Sequence, residues 1–195
     1  MSRPDTASLF NVNGQRKYLC GSEGRRFLAA ADRMDEESRT FCRLLAFTGC
    51  RISEGLALTP ERIDAEADRV VFRTLKRRKL SFRAVPVPPG LLSDLNRLAR
   101  GRRPDEPLWA WCRQTAWRRV RWAMTEAGIA GAQAMPKGLR HAFGIANAEH
   151  AVPISLTARW MGHARLETTA IYQNAVGREE MIFARRTWTM LTAKT

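Results

Sequence analysis

The segment RVVFRTLKRRKLSFRAVPVP, residues 69–88, contains the clearest β-strand signal in the sequence. Its two ends, residues 69–75 and 82–88, are rich in β-branched and aromatic side chains, and the polar segment between them completes the pattern of a β-hairpin. Seven basic residues and no acidic one occur between Arg69 and Arg83. Such a ribbon is either a solvated surface hairpin or a surface that contacts phosphate groups, and we favour the second interpretation.

Helical periodicity dominates on both sides of this hairpin. Before it, the patterns predict a helix from residue 35 to 48 and a short helix over 51–58. After it, they predict helices that include residues 91–98 and 117–127 and others that cover 136–150, 153–162, 167–176 and 178–191. Residues 1–34 have weak periodicity and predict an N-terminal arm or lead-in. The fold class is therefore mostly α with a small antiparallel β-sheet (α+β).

The composition indicates a polyanionic partner. The chain has 195 residues, which favours one domain, and 45% of them are hydrophobic, so a core can be buried. Lys and Arg total 33 against 19 Asp and Glu, which gives a formal net charge of +14. Nucleic acid fits this excess better than a membrane surface, because the basic residues centre on a hairpin and not on an amphipathic helix.

Cysteine and histidine spacing predicts no metal site. Cys20, Cys42, Cys50 and Cys112 form no CxxC pair, so we expect buried free thiols in a reducing compartment. The three histidines favour structural or hydrogen-bonding roles over metal ligation. No phosphate-binding glycine loop, secretory signal or long apolar run occurs in the sequence. We therefore expect a cytoplasmic protein that uses no cofactor.

Four short motifs follow one another along the chain. They are TGCRISEGLAL at residues 48–58, LRHAFG at 139–144, WMGH at 160–163 and TTAIY at 168–172. Together they resemble the catalytic domain of the tyrosine recombinases, the phage integrase family, over roughly residues 35–174. The separations of Arg51, Arg140, His163 and Tyr172 fit the family as well (140 − 51 = 89, 163 − 140 = 23, 172 − 163 = 9). The resemblance implies a catalytic domain over residues 35–177.

The resemblance also implies a chemistry and assigns residues to it. The expected enzyme is a site-specific recombinase that cuts and rejoins double-stranded DNA through a 3′-phosphotyrosyl intermediate, without metal or ATP. Arg51 and Arg140 would hold the nonbridging phosphate oxygens, since guanidinium groups bind such oxygens in pairs and stay charged. His163 would hydrogen-bond the scissile phosphate, and Tyr172 would be the nucleophile.

The hairpin is expected to supply the general acid and further DNA contacts. An ammonium group can protonate the leaving 5′ oxygen, and Lys76 fits this role best, with Lys79 as the alternative. The candidate DNA-binding residues are Arg73, Arg77, Arg78, Lys79 and Arg83.

One catalytic position departs from the family pattern. Lys137 stands three residues before Arg140, where the family usually has His, so the sequence reads KGLR. A lysine there supplies charge and a hydrogen bond, but it serves as a base only where neighbouring cations make its deprotonation easier. We expect activity to survive, with Lys137 in the catalytic set.

The two ends of the chain raise questions of assembly. Residues 1–34 are too short for the N-terminal core-binding domain of typical integrases, so we expect either DNA binding by the catalytic domain alone or a partner protein that replaces that domain. Residues 178–195 predict a C-terminal helix that either docks on a neighbouring protomer or packs on its own domain. The resemblance implies a homo-oligomer, up to a tetramer, on DNA.

Two other functions remain open from the sequence. A type IB topoisomerase shares this catalytic constellation, and Lys137 favours it. A DNA-binding regulator could keep the fold without the activity. In each case the expected setting is a nucleoid-associated protein encoded by a prokaryote or a mobile element.

Overall fold

The computed structural model describes residues 8–74, 81–173, 184–185 and 187–188. Within these ranges the helices are α1 Gly21–Ala31, α2 Glu36–Thr48, α3 Ile52–Leu56, α4 Pro89–Ala99, α5 Arg113–Glu126, α6 Pro136–Glu149, α7 Ile154–Met161 and α8 Glu167–Ala170. The strands are β1 Ile63–Asp64, β2 Arg69–Arg73 and β3 Phe82–Pro86. The mostly helical class with one small antiparallel sheet is confirmed.

The β-hairpin predicted from residues 69–88 forms the larger part of the sheet. Strands β2 and β3 pair antiparallel, with Val71 opposite Ala84, and β1 adds a short third strand beside β2. Alternate side chains of β2 point into the core, where Val70 and Phe72 are buried, while Arg69 and Arg73 are exposed. This two-residue period is why alternate side chains of β2 face the core and the surface.

Helix α2 lies at the centre of the helical layer. Asp35 caps its N-terminus by accepting a hydrogen bond from the Ser38 amide, and Gly49 ends it in the left-handed conformation at φ 58°. Its apolar face buries Phe41, Leu44 and Leu45 against α1, α4, α5 and α6. The burial of these three side chains therefore packs α2 against four other helices.

Helix α1 corrects the prediction that residues 1–34 form a loosely packed arm. Phe27, Ala30 and Ala31 of this helix are fully buried in the main core. The sequence signal is weak because the buried stripe is short and consists mostly of alanine. Residues 21–31 therefore pack as part of the same core as α2.

A second, smaller apolar cluster lies beside the main core. It consists of Leu9, Ile145, Met161 and Tyr172, which come from the N-terminal segment, α6, α7 and the turn after α8. This cluster packs α7 and the turn after α8 against α6. It also places Tyr172 among apolar side chains.

The cysteines differ in part from the expectation of buried thiols. Cys42 and Cys50 are buried, whereas Cys20 and Cys112 are exposed, and all four are free. In the parts of the chain described here, no helix combines the length and the apolar character needed to cross a membrane.

Some sequence predictions fall outside the described residues. The hairpin connection with Lys76, Arg77, Arg78 and Lys79 is one of them. The predicted C-terminal helix over 178–191 is another, apart from residues 184–185 and 187–188.

We expect Phe41→Ala to lower the free energy of unfolding by about 3–5 kcal/mol, because the cavity it leaves at the centre of the core can close only in part. Phe47→Ala on the same helix is the matched control, since Phe47 is 37% exposed, and it should cost at most about 1 kcal/mol. Urea unfolding measures both values. Equal losses would contradict the central position of Phe41.

Candidate active site

Arg140 is held between the C-terminal ends of two helices. Its Nη1 donates to the carbonyl of Gly49, the residue that ends α2, and its Nη2 donates to the carbonyl of Met161, the last residue of α7, both at 2.6 Å. Gly49 and Gly162 adopt left-handed backbone conformations at these ends, which suit glycine. Burial and the nearby Arg51 lower the pKa of Arg140 to about 10, so it remains a cation at neutral pH.

Arg51 begins helix α3 and is fixed by a glutamate one turn later. The Arg51 backbone amide donates to Glu54 Oε2 at 2.8 Å, and its Nη1 donates to Glu54 Oε1 at 3.0 Å. The side chain of Arg51 keeps 28% of its surface exposed. Glu54 thereby orients Arg51 while leaving part of the guanidinium open to an anion.

Arg83 lies in the interior, which corrects the expectation that it contacts DNA. Its residue exposure is only 6%, and its Nη2 donates to Glu54 Oε2 at 2.7 Å. Its Nε donates to the Trp160 carbonyl at 2.8 Å, so it joins β3, α3 and α7. The period of the strand turns Arg83 toward the core, where only a buried carboxylate makes a guanidinium acceptable.

His163 follows Gly162 and faces the same region. Its Nδ1 lies 2.7 Å from Thr169 Oγ1, which fixes the plane of the ring and leaves Nε2 on the other edge. Burial, with the charges of Arg140 and Arg51, lowers the pKa of His163 to about 3. His163 is therefore neutral at physiological pH and would meet a bound anion as an uncharged imidazole.

Tyr172 is buried in the free protein. It is 3% exposed, its ring is stacked on that of His163, and its hydroxyl lies 3.1 Å from His141 Nδ1. Burial raises the pKa of Tyr172 to about 12, although the charges of Arg140 and Arg51 act in the opposite direction. The hydroxyl is therefore protonated at neutral pH and lies within the field of both arginines.

The remaining predicted site residues have different placements. Lys137 is exposed on the first turn of α6, one turn before His141 and on the same side of the helix. Arg73 is exposed at the end of β2. The described parts of the chain contain no group of three or more His, Cys, Asp or Glu side chains arranged to hold a metal ion.

Sequence reasoning missed Glu54 and gave His141 no specific role. A glutamate three residues after a helix-start position is the second half of a capping box, but Arg51 stands where Ser or Thr would complete that pattern. His141 follows Arg140 directly, and its partner Tyr172 is 31 residues away. Only the packing of α6 against the turn after α8 reveals that contact.

The arrangement suits an anion with several oxygens. Arg51 and Arg140 supply two permanent charges, and His163 supplies an uncharged ring beside them. The hydroxyl of Tyr172, a group that can serve as a nucleophile, lies within the field of both arginines. A phosphodiester under attack develops charge on its nonbridging oxygens, and prearranged cations stabilise that charge.

Comparisons with known proteins show the family of the chain. The model of the phage integrase family matches residues 17–178. Tyrosine recombinase XerA of Pyrococcus furiosus is 30% identical over 166 residues, which cover 80% of this chain and 56% of that protein. Tyrosine recombinase XerD of Mycobacterium tuberculosis is 32% identical over 150 residues, 69% of this chain and 47% of that protein. The chain thus spans about half the length of these curated relatives.

Solved structures share the fold. The post-cleavage complex of the XerH site-specific recombinase with a palindromic difH substrate has a TM-score of 0.77 at 21% identity, covering 88% of this chain and 53% of that one. The catalytic domain of bacteriophage HP1 integrase has a TM-score of 0.63 at 20% identity, covering 91% of this chain and 98% of that one.

We expect Glu54→Gln to destabilise the protein by about 3–5 kcal/mol at neutral pH, because it leaves Arg83 buried without a counter-charge. Burial alone would raise the pKa of Glu54, but the hydrogen bonds and charge of Arg83 outweigh it and hold the pKa below its ordinary value. Glu54 thus stabilises the fold above its unfolded pKa of about 4.3, and this contribution is lost as the pH falls through the lower folded value.

Denaturant unfolding between pH 7 and pH 3 measures this effect. The wild type should lose stability on acidification more steeply than Glu54→Gln, which lacks the Glu54 contribution at every pH. Glu36→Gln removes an exposed pair with Arg97 and is the control, with an expected cost below about 1 kcal/mol. Parallel pH curves for the wild type and Glu54→Gln would contradict the buried ion pair.

Proposed function

The chain belongs to the phage integrase family, and from this membership we propose that it is a site-specific recombinase that cleaves and rejoins DNA through Tyr172. The observation that carries the proposal is that Arg51, Arg140, His163 and Tyr172 meet in one place although they lie up to 121 residues apart (172 − 51 = 121). A structural role for each residue alone would not require the other three as neighbours.

The reaction is a transesterification. The Tyr172 hydroxyl attacks the scissile phosphorus, the new O–P bond forms, and the bond from phosphorus to the 5′ oxygen breaks. The phenolic proton of Tyr172 passes to water, Lys137 adds positive charge and a hydrogen bond that favour its loss, and Lys76, with Lys79 as the alternative, gives a proton to the leaving 5′ oxygen. The product is a 3′-phosphotyrosyl link that keeps the energy of the phosphodiester, so rejoining needs neither ATP nor metal.

The two arginines carry the electrostatic part of this proposal. Arg140 is anchored by two backbone carbonyls and Arg51 by Glu54, so neither has to reorganise when the phosphate becomes more negative. His163 adds a hydrogen bond from a neutral ring. Removal of one such donor typically lowers the rate of chemistry by about 100- to 1,000-fold.

Tyr172 must change its surroundings before it attacks. Because only 3% of Tyr172 is exposed, its hydroxyl is inaccessible to a phosphate in the free protein. Its pKa of about 12 also keeps the hydroxyl protonated. DNA binding therefore has to make the Tyr172 hydroxyl accessible to the phosphate. This requirement keeps the nucleophile inactive until a substrate is present.

DNA binding rests on charge. The net charge of +14 and the exposed hairpin residue Arg73 support nonspecific contacts to phosphates, and Arg77, Arg78 and Lys79 would extend them. The XerH complex carries a difH substrate, which supports a duplex ligand here.

We propose a homo-oligomer on DNA, up to a tetramer, with residues 35–177 as the catalytic domain. The C-terminal helix over residues 178–195 would join protomers, and a partner protein would act where the chain alone binds too weakly.

We expect Tyr172→Phe to abolish covalent capture of DNA while DNA binding stays intact, because only the nucleophilic oxygen is lost. The assay uses nicked suicide duplexes built from the DNA that flanks the gene, with EDTA present. Tyr18→Phe, at the only other tyrosine, should keep the adduct.

Each other result of this assay has a defined meaning. Binding without an adduct in the wild type would indicate a DNA-binding regulator that keeps the fold. An adduct that persists in Tyr172→Phe would assign the nucleophile elsewhere. In separate assays on closed circular DNA, relaxation of supercoils without strand exchange would favour the topoisomerase alternative.

We expect Lys76→Ala to slow cleavage of ordinary DNA by about 100- to 10,000-fold, because the leaving 5′ oxygen then departs without a proton. A duplex with a 5′-thiol at the cleavage site should restore cleavage, since a thiolate leaves unprotonated. Lys79→Ala is the matched comparison within the hairpin. If the 5′-thiol restores Lys79→Ala and not Lys76→Ala, the general acid is Lys79.

A further inference from the structure

The contact between His141 and Tyr172 is not used by the reaction described above. His141 lies on α6 directly after Arg140, and the two side chains diverge. Arg140 reaches the carbonyls of Gly49 and Met161, whereas His141 Nδ1 lies 3.1 Å from the Tyr172 hydroxyl. One helix thus carries both a phosphate-binding cation and a group that touches the nucleophile.

The next turn of α6 leaves space for the ring of Tyr172. Gly144 follows His141 by three residues, and a Cβ added there would lie 2.5 Å from Tyr172 Cε2. Any other residue at position 144 would force the ring away. Gly144 and His141 together determine how deep Tyr172 lies and where its hydroxyl points.

The surroundings of His141 favour one tautomer. Its Nε2 is buried and has no hydrogen-bond partner among the residues that the structure describes. A buried N–H without an acceptor costs more than a buried lone pair without a donor, as the rarity of orphaned N–H groups in proteins indicates. The proton therefore belongs on Nδ1, where it is donated to the Tyr172 oxygen.

The ring of His141 is also uncharged. Burial, with the charges of Lys137, Lys17 and Arg140, lowers the pKa of His141 to about 4. A neutral imidazole that already carries its proton on Nδ1 cannot take a second one there at physiological pH. His141 is therefore a donor to Tyr172 and not the base that removes the phenolic proton.

We propose that His141 is a positioning residue for the nucleophile, and that its neutral Nδ1–H donates a hydrogen bond that holds the Tyr172 oxygen and stabilises it as the phenolic proton leaves. This inference rests on the proposed strand cleavage by Tyr172. It gives a function to His141, the residue that follows Arg140 in the motif LRHAFG. It also complements Lys137, which lies one turn earlier on the same helix.

The first test measures the tautomer in the free protein and does not depend on activity. The chain has three histidines, so a protein labelled with ¹⁵N-histidine gives few imidazole signals at neutral pH. We expect His141 to show the Nδ1–H tautomer, and we expect Tyr172→Phe to shift its Nδ1 resonance. Tyr18→Phe is the control and should leave the signal in place. An Nε2–H tautomer, or no response to Tyr172→Phe, would overturn the proposal.

The second test measures the rate of covalent capture on the suicide duplex. His141→Phe keeps a ring in the cradle but removes the donor, and we expect cleavage about 10- to 100-fold slower with DNA affinity unchanged. His141→Asn places an amide N–H near the position of Nδ1 and should recover most of the rate. His150→Phe is the matched control, because His150, the residue that caps the end of α6, is exposed and its Nδ1 contacts the Ala146 carbonyl and not Tyr172.

The two tests separate the possible failures. If the wild type forms no adduct, the proposed strand cleavage fails, and the ¹⁵N spectrum still decides whether His141 donates to Tyr172. If the wild type forms an adduct and His141→Phe, shown to be folded by its thermal transition, cleaves at the wild-type rate, the positioning role is wrong. Faster cleavage by His141→Phe would likewise overturn it, because His141 would then restrain the nucleophile.

Discussion

The arrangement of the site depends on the buried ion pair between Glu54 and Arg83. Its two charges can lie in the interior because each satisfies the other and because the Trp160 carbonyl and the Thr74 hydroxyl also accept hydrogen bonds from Arg83. The pair joins α3, β3 and the end of α7, so the sheet and the helical layer have a fixed mutual position. The same carboxylate accepts bonds from Arg51, and the buried pair therefore also sets the position of an arginine that faces outward.

Arg140 shows how backbone geometry can hold a cation without a carboxylate. Two helices end in left-handed glycines, and the carbonyls exposed at those ends, Gly49 and Met161, receive the guanidinium. A carboxylate in that place would neutralise Arg140 and weaken its attraction for a phosphate. Carbonyl dipoles fix the side chain and leave its full charge available, and helix C-termini favour cations in addition. The result is a positive site in which the buried carboxylate of Glu54 pairs with Arg51 and not with Arg140.

The burial of Tyr172, the proposed nucleophile, has an energetic explanation in the same terms. Burial disfavours the phenolate of Tyr172, and the nearby arginines favour it, so its pKa reflects two opposing effects of which burial is the larger. A bound phosphate would bring negative charge to the arginines and so alter the second effect. Neutral histidines at positions 141 and 163 contribute hydrogen bonds without adding to the crowding of positive charge. The free protein therefore keeps its reactive group protonated and covered.

The sequence determined the fold class, the hairpin and most helix boundaries, because two- and 3.6-residue periodicities and terminal glycines and prolines are local signals. It also identified Arg51, Arg140, His163 and Tyr172 as a set, since motif order and spacing are properties of the chain. It could not recognise α1, whose buried stripe is mostly alanine, nor the burial of Arg83, which looks like any other basic residue of the hairpin. The pairing of Glu54 with Arg83 and of His141 with Tyr172 joins residues 29 and 31 positions apart. Only the tertiary structure decided these pairs, because burial and the direction of a side chain depend on what other elements pack against it.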